Sequence, residues 1–477
     1  MIAWVLVVLP LLAGAALLPR RARPAALTVL LAVSGALALA AVLVALVPPP
    51  VVRHELLVVD ATSRLFVAVV NAVFFGISAH VGNRARQEKP FRRRAMRFAR
   101  FGLPFIAFAN LAVLSEDLLL GWCALEMTTF LAVPLVADDR SGDKLPISWQ
   151  YFLFSTVGLT LVLAGFGCLQ RALGPDVSLA YDALAANVSA LASPWGRLGV
   201  ALVVAGYGTK LGLFPMNTWL PPTYASAPAP VTALLGAVQF NVALVGLLRV
   251  LAVFGAEAPP GLQQQLLWTG MLSMGISTLG IVTTRDYVRL LGYASINHAG
   301  VIAVGLGLGG PAAYGVLLYV VSNAFIKAIL FLTAGRVQAR FHTRDARNVH
   351  GLVKAMPFSG AFLMVGTFAL LGLPPFGSFL GELLILSSVV ESGRLALLFP
   401  FCALLAVSFV ATGRTLFPMI WGEPPVSAPA TSPGRGDVLS EVVPKGIFLV
   451  ALVALGIYIP APVNALLQQV AASLGAR

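Results

Sequence analysis

The chain has 477 residues, 58% of them hydrophobic and only 11% charged, with a mean hydropathy of +0.90; soluble domains carry roughly 25% charged residues. No water-soluble core could hide so many apolar side chains, so the composition excludes a soluble globular domain and predicts an all-α polytopic membrane protein. The formal charge of +13 is read as arginine in cytoplasmic loops and not as a nucleic-acid surface.

The apolar runs predict about fourteen spanning helices. The first three lie near 2–18, 25–47 and 62–82. Arg20, Arg21 and Arg23 follow the first run instead of preceding it, which predicts a retained helix and not a cleaved signal. A basic loop comes next, with Arg84, Arg86, Lys89, Arg92, Arg93 and Arg94. Helices four and five, near 97–114 and 117–136, are joined tightly around Ser115-Glu116-Asp117. The sixth, near 148–170, leads into a polar connection at 171–194 that holds Asp176 and Asp182. The seventh to eleventh fall near 195–218, 230–253, 263–283, 288–308 and 312–335. The twelfth, near 357–390, contains Pro374 and Pro375 and is expected to be two half-helices. The thirteenth lies near 395–418, a stretch of linker composition spans 422–440, and the last helix lies near 444–462.

Basic residues concentrate in the loops after helices one, three, nine and eleven, including Arg285, Arg289, Arg336, Arg340, Arg344 and Arg347. Those loops are expected in the cytoplasm, with both termini on the periplasmic side of an inner membrane. Helices four to eight and nine to thirteen form two sets of five, each with its fourth member broken by proline, at Pro215 and at Pro374-Pro375. Paired broken helices point to repeats with a site between them, and an odd helix count makes the second copy inverted. The expected division is 1–96 (three helices and the basic loop), 97–253 and 254–418 (the two repeats), and 419–477 (a loop and the last helix).

Four ionisable residues fall inside predicted spans: Glu126, Lys210, Lys327 and Glu382. Each costs on the order of 3 kcal/mol to insert. Static buried ion pairs are the bland reading of two acids and two amines. Against it, only six of the 32 basic residues are lysine, and two of those six take the deep positions. Arginine would be the better fork for a fixed bridge, whereas a desolvated lysine can release its proton. Gln150, Asn217, Gln239, Asn241, Asn297, His298 and Asn323 could carry a water chain between the charges. His298 is either a proton station or a histidine hydrogen-bonded between helices. Cys123, Cys168 and Cys402 lie in separate apolar runs and form no ligand cluster, so no metal is expected. Gly305 to Gly310 resemble a dinucleotide fingerprint without the strand it needs and are read as helix packing and a turn. No redox cofactor signature is present, and no cofactor is expected.

Two longer stretches carry a family resemblance. Gly206-Tyr207-Gly208-Thr209-Lys210-Leu211-Gly212-Leu213-Phe214-Pro215, running on to Pro221, and Ala227-Pro228-Ala229-Pro230-Val231-Thr232 resemble the core signature of the proton-conducting, antiporter-like subunits. These occur in respiratory complex I, group 4 membrane-bound hydrogenases and Mrp-type cation/proton antiporters. With residues 290–309, the wording is most similar to the hydrogenase-4 F-subunit type. The resemblance implies a fourteen-helix channel subunit with two inverted five-helix repeats. It implies a gating ion pair of Glu126 and Lys210, a central Lys327 and an exit-side Glu382. The implied partners are redox subunits and sister antiporter-like subunits in the bilayer. The family often carries histidine or lysine where this chain has Asn217, Asn241 and Asn323, and lysine where Gln150 stands. The alternatives it leaves are an Mrp-type antiporter subunit, the membrane subunit of an inorganic-carbon uptake system, and a structural scaffold with inert charges.

Overall fold

The computed structural model describes residues 2–19, 25–46, 52–53, 56–137, 145–254, 261–423, 437 and 439–475. Arg20, Arg21, Arg23 and nearly all of the expected linker at 422–440 lie outside the described residues.

The helices in chain order are α1 (Ile2–Ala16), α2 (Ala26–Leu46), α3 (Ala61–Gln87), α4 (Phe91–Leu114), α5 (Leu118–Val136) and α6 (Leu145–Leu173). The polar connection folds into two short helices, α7 (Tyr181–Ala186) and α8 (Val188–Leu191). Then come α9 (Pro194–Leu211), α10 (Leu220–Ser226), α11 (Ala229–Ala233) and α12 (Phe240–Phe254), the last two joined through a π-helical turn at Leu234–Gln239. The second half contains α13 (Leu262–Thr283), α14 (Tyr287–Leu308), α15 (Gly310–Phe341), α16 (Leu352–Ala355), α17 (Pro357–Leu370), α18 (Gly377–Glu391) and α19 (Leu395–Trp421). It closes with α20 (Leu439–Ile457) and α21 (Ala461–Ser473), bent by 70° from each other. Strands β1 (Val52–Arg53) and β2 (Val58–Val59) pair antiparallel with Val52 opposite Val59.

Among the described residues ten helices are long and apolar enough to cross a membrane, or eleven if the bent α20–α21 pair counts as one span. The shorter α1, α9, α17 and α18 fall at the other expected positions, so length and apolarity alone do not fix a count of fourteen. The surface confirms the solvent. Leu39, Leu153, Leu279, Phe399 and Val410 stand exposed, while His80, Lys327, Asn323 and Asn110 are buried. That pattern suits hydrocarbon outside and polar contacts within. The chain is a multi-pass membrane protein. At its centre is α15, 32 residues long and buried along its spanning window.

The two sets of five helices repeat in hydrogen-bonding detail. Asp117 caps α5 by accepting from the Leu119 and Leu120 amides, and Asp286 caps α14 by accepting from those of Val288 and Arg289. Beside Asp117, Leu118 N donates to Leu179 O and Tyr181 N to Glu116 O. Beside Asp286, Tyr287 N donates to Arg344 O and Ala346 N to Arg285 O. The same clasp thus ties each second helix to the segment after its third. Arg249, near the end of α12, bonds Asp60, Ser63 Oγ and Val113 O, so α12 ends on the side where α5 begins. From there α13 crosses back, and the Asp286 clasp sits on the opposite side. The second set is therefore inverted.

Candidate functional site

Each repeat carries one broken helix, and both breaks are built alike. In the first, Gly212 takes φ +81° and Leu213 N reaches back to Gly208 O at 2.7 Å. In the second, Gly372 takes φ +63° and Leu373 N reaches Phe368 O at 3.1 Å. Both are Schellman-type ends, which need a residue at ease with positive φ. A side chain from beyond the break then satisfies the carbonyl three residues before the glycine. Trp219 Nε1 donates to Thr209 O, and Ser378 Oγ to Ala369 O. Both Pro215 and Pro375 follow cis peptide bonds. The sequence expectation centred the first break on Pro215, in a helix running to 218. The helix in fact ends at Leu211, because Gly212 closes it three residues earlier.

Lys210 sits in the last turn before the first break and is buried. Its ammonium donates to Thr129 Oγ1 at 2.6 Å and lies 5.3 Å from the centre of the Tyr151 ring. Thr129 is one turn beyond Glu126 on α5. Glu126 Oε1 accepts from Thr156 Oγ1 at 2.8 Å, and its Oε2 has no hydrogen-bond partner. The expected Glu126–Lys210 pair is therefore not in direct contact: among the described residues no ion pair within 4.0 Å joins them. Thr129 and Thr156 each take one partner and hold the two charges apart on adjoining turns.

From this cluster a polar thread runs to the second half. Tyr151 OH donates to Gln239 Oε1 at 3.0 Å, and Gln239 Nε2 to Thr128 Oγ1 at 3.0 Å. Gln239 ends the π-helical turn, and the next residue, Phe240, places its ring 3.8 Å from Lys327 Nζ. The Lys327 ammonium makes this cation–π contact and has no hydrogen-bonding partner. One turn back on α15, Asn323 Oδ1 lies 3.1 Å from His298 Nδ1, and the His298 ring packs 5.3 Å from Tyr319. His298, Asn297, Tyr319, Gly372, Ser408 and Glu382 line one cavity of about 380 Å³. Asn297 Nδ2 is held there by Ser277, Thr278 and Ser408.

Stepping from Gln239 to Phe240 in the chain, and from Lys327 to Asn323 along α15, traces one interior path past the four ionisable candidates. Of the auxiliary residues, Gln239, Asn297, His298 and Asn323 are on it. Asn217 is buried in the first break with its Nδ2 unpartnered, and Asn241 spends its Nδ2 on Ala237 O while its Oδ1 is unpartnered. Gln150 is a correction. It stays half-buried and outside these contacts, because the rotation of α6 turns the next residue, Tyr151, inward instead. The sequence reading also passed over Thr128, Thr129, Tyr151 and Thr156. Their only signal was the threonine pair at 128 and 129 on α5 and a row of hydroxyls from Ser148 to Thr160 on α6, which apolar-run scanning ignores. Buried polar atoms without protein partners recur along this path (Glu126, Asn217, Asn241, Asn323, Lys327), and such groups are ordinarily satisfied by internal water.

A buried thread of lysines, carboxylates, amides and one histidine, flanked by two broken helices between inverted repeats, defines a membrane ion-translocation fold. Residues 115–407 match the NADH:quinone oxidoreductase/Mrp antiporter transmembrane family, and the chain belongs to that family. It is 32% identical over 366 residues to a hydrogenase-4 component F homolog from Methylacidiphilum infernorum, covering 74% of each chain. Its fold superposes on a chain of the Mrp complex from Dietzia sp. with a TM-score of 0.87 at 21% identity, covering 99% and 97% of the two chains. Against a chain of respiratory complex I from Thermus thermophilus the TM-score is 0.81 at 23% identity, covering all of both.

Proposed function

We propose that this chain is a proton-translocating membrane subunit of an oxidoreductase complex of the hydrogenase-4 or complex I kind. It carries no redox centre and works beside redox and sister antiporter-like subunits in an inner membrane. The observation that carries this reading is the interior row of polar groups from Glu126 and Lys210 through Gln239 to Lys327, bridged there by the Phe240 ring, and on along α15 through Asn323 and His298 to the cavity that Glu382 lines. Family membership and the likeness to a hydrogenase-4 component support it.

In this reading Lys210 is the switch. Its ammonium is held by a single hydroxyl and one ring face, with Glu126 a turn away and one carboxylate oxygen free. A small movement of α5 against α9 changes which partner the lysine holds, and with it the lysine's readiness to give up a proton. Lys327, with no hydrogen-bond acceptor, receives the proton. His298 and the cavity pass it to Glu382, which releases it. In this reading the arginines at the Asp286 clasp face the cytoplasm and both termini face the periplasm, which the Lys/Arg bias of the loops supports.

The test is the assembled complex in sealed vesicles. Lys210→Met is expected to abolish coupled proton transport while assembly persists. Unchanged pumping would leave only a structural scaffold. An Mrp-type antiporter is the second reading, favoured by the 0.87 TM-score with the Mrp chain. It predicts sodium movement coupled to the proton gradient, whereas the main reading predicts the same proton transport with and without sodium.

A further inference from the structure

A second buried charge cluster lies away from this path, between α3, α15 and α20, on the side of the basic 84–94 loop. Arg336 of α15 bonds Glu88 at 2.9 Å, and its Nε lies 3.0 Å from Glu441 Oε2 of α20. The second contact is an ion pair without hydrogen-bond alignment, so both Glu441 carboxylate oxygens are buried and unbonded. One turn along α20, Lys445 is buried with its ammonium 4.9 Å from the Phe362 ring of α17. His80 of α3 is fully buried, and neither ring nitrogen has a partner. The charges whose fields reach it are Lys445, Arg84 and Arg336, one from each of the three helices.

A fixed helix clamp accounts for Arg336, Glu88 and Arg84. It does not account for a fully buried imidazole that bonds nothing, or for a buried carboxylate that makes no hydrogen bond and is held only by an ion pair with Arg336. Leaving such groups unsatisfied is costly. They are what a short water-borne proton relay uses.

The cluster also sits at the right depth. Phe448 of α20 stacks on Phe325 of α15 and fills the space over Gly76 of α3, where a Cβ would come within 2.1 Å of its ring. The three helices therefore meet at the level of 76, 325 and 448. His80 is one turn from that level and Lys327 about half a turn, both toward the basic side. Between Arg336 and Asn323, α15 carries two further buried polar groups without partners, Thr333 and Lys327. On α17, which packs on α15 through Gly366 against Leu330, the next residue, Thr367, is also buried and unpartnered.

We propose that His80, Glu441 and Lys445 form a proton-loading site on the basic-loop side, which feeds the Lys327–Asn323 stripe of α15 past the hydroxyls of Thr333 and Thr367. Its ligand is the proton of bulk water on that side. Arg336 is a positioning residue that keeps Glu441 turned inward. The inference rests on the proposed proton transport and adds where the proton enters.

The test uses the assembled complex in sealed vesicles, with transport followed by a pH-sensitive dye and partner-subunit turnover measured alongside. His80→Gln is the primary variant, since neither ring nitrogen of His80 makes a hydrogen bond and its loss breaks none. Transport is expected to fall on the order of ten-fold, and its dependence on the basic-side pH to flatten. Glu441→Gln should lower transport likewise, and Thr333→Val less. Normal transport with an unaltered pH profile in both His80→Gln and Glu441→Gln, while Lys327→Met is inactive, overturns the loading site and leaves the transport function standing. Normal transport in Lys327→Met removes the function itself, and the loading site with it.

Discussion

The two broken helices share a backbone and differ in what they put beside it. Both end on a positive-φ glycine, both close with the same reach-back amide, and both have their third-last carbonyl satisfied from beyond the break. At the first break, Lys210 lies before the glycine, and the loop is braced by Ser273 Oγ of α13, which accepts from Phe214 N at 2.8 Å. At the second, the corresponding position is Leu370, and the charge comes after the break, on Glu382, facing the 380 Å³ cavity. One architecture has thus been used once as a tight lock and once as an open vestibule. Side chains, not the fold, assign the roles.

Removing the charge at either break sharpens that contrast most. In the assembled complex, Lys210→Met should reduce proton transport to background. Glu382→Gln should leave the transport machinery assembled but slow release, a loss on the order of a hundred-fold if it is the terminal acid. Equal, small effects of both substitutions would erase the distinction between lock and vestibule.

The glycines come next. An alanine at Gly212 or Gly372 must adopt a left-handed conformation, at about 1–2 kcal/mol. The added methyl meets Leu220 Cδ1 at 2.6 Å in the first case and Glu382 Oε2 at 2.6 Å in the second. Both variants should lose thermal stability in detergent. Only Gly372→Ala displaces the carboxylate directly, so it alone should mimic Glu382→Gln in transport.

A smaller effect concerns the ends of the repeats. Asp60 caps α3 and pairs with Arg249 at 3.1 Å. Burial pushes its carboxyl pKa up, but Arg249 and the Ser63 donors outweigh burial and hold it below its ordinary value. The lowered folded-state value means this contribution is present above the unfolded pKa of about 4 and is lost as pH falls through the folded one. Asp60→Asn should therefore destabilise the protein at neutral pH, by on the order of 1–3 kcal/mol. The difference from the parent should shrink in strongly acidic buffer, as thermal melts would show.

The smallest is a matched pair. Asp117→Ala and Asp286→Ala each remove an N-cap, at about 1 kcal/mol. Asp286 also pairs with Arg344 at 3.4 Å, so its loss should be slightly the larger in the same melts.

Much of this was legible in the residues. Glu126, Lys210, Lys327 and Glu382 stand out because a charge in an apolar run needs a reason. The repeat was visible only as matched prolines; the closer correspondence is Gly-Leu-x-Pro at 212–215 and 372–375, with an aspartate cap at 117 and at 286. Those pairs are too short to stand out by identity, and their equivalence lies in which amide meets which carbonyl. Gln150 was misread and Tyr151 overlooked because a one-residue rotation on a helix moves a side chain by 100°, which an apolar run cannot report. His80, Glu441 and Lys445 escaped notice for another reason. They lie near the ends of their helices, where a charge is usually exposed, and only the packing of α3, α15 and α20 buries them.

The sequence alone determined the solvent, the class of fold, the broken helices and the deep charges, because hydropathy, glycine and proline act locally. Tertiary structure decided which charges touch. It interposed Thr129 and Thr156 where a direct ion pair was expected, joined the halves through Gln239 and Phe240, and opened a cavity beside the second break. Those outcomes depend on rotation and depth between helices far apart in the chain, set by how whole surfaces pack and not by any one residue.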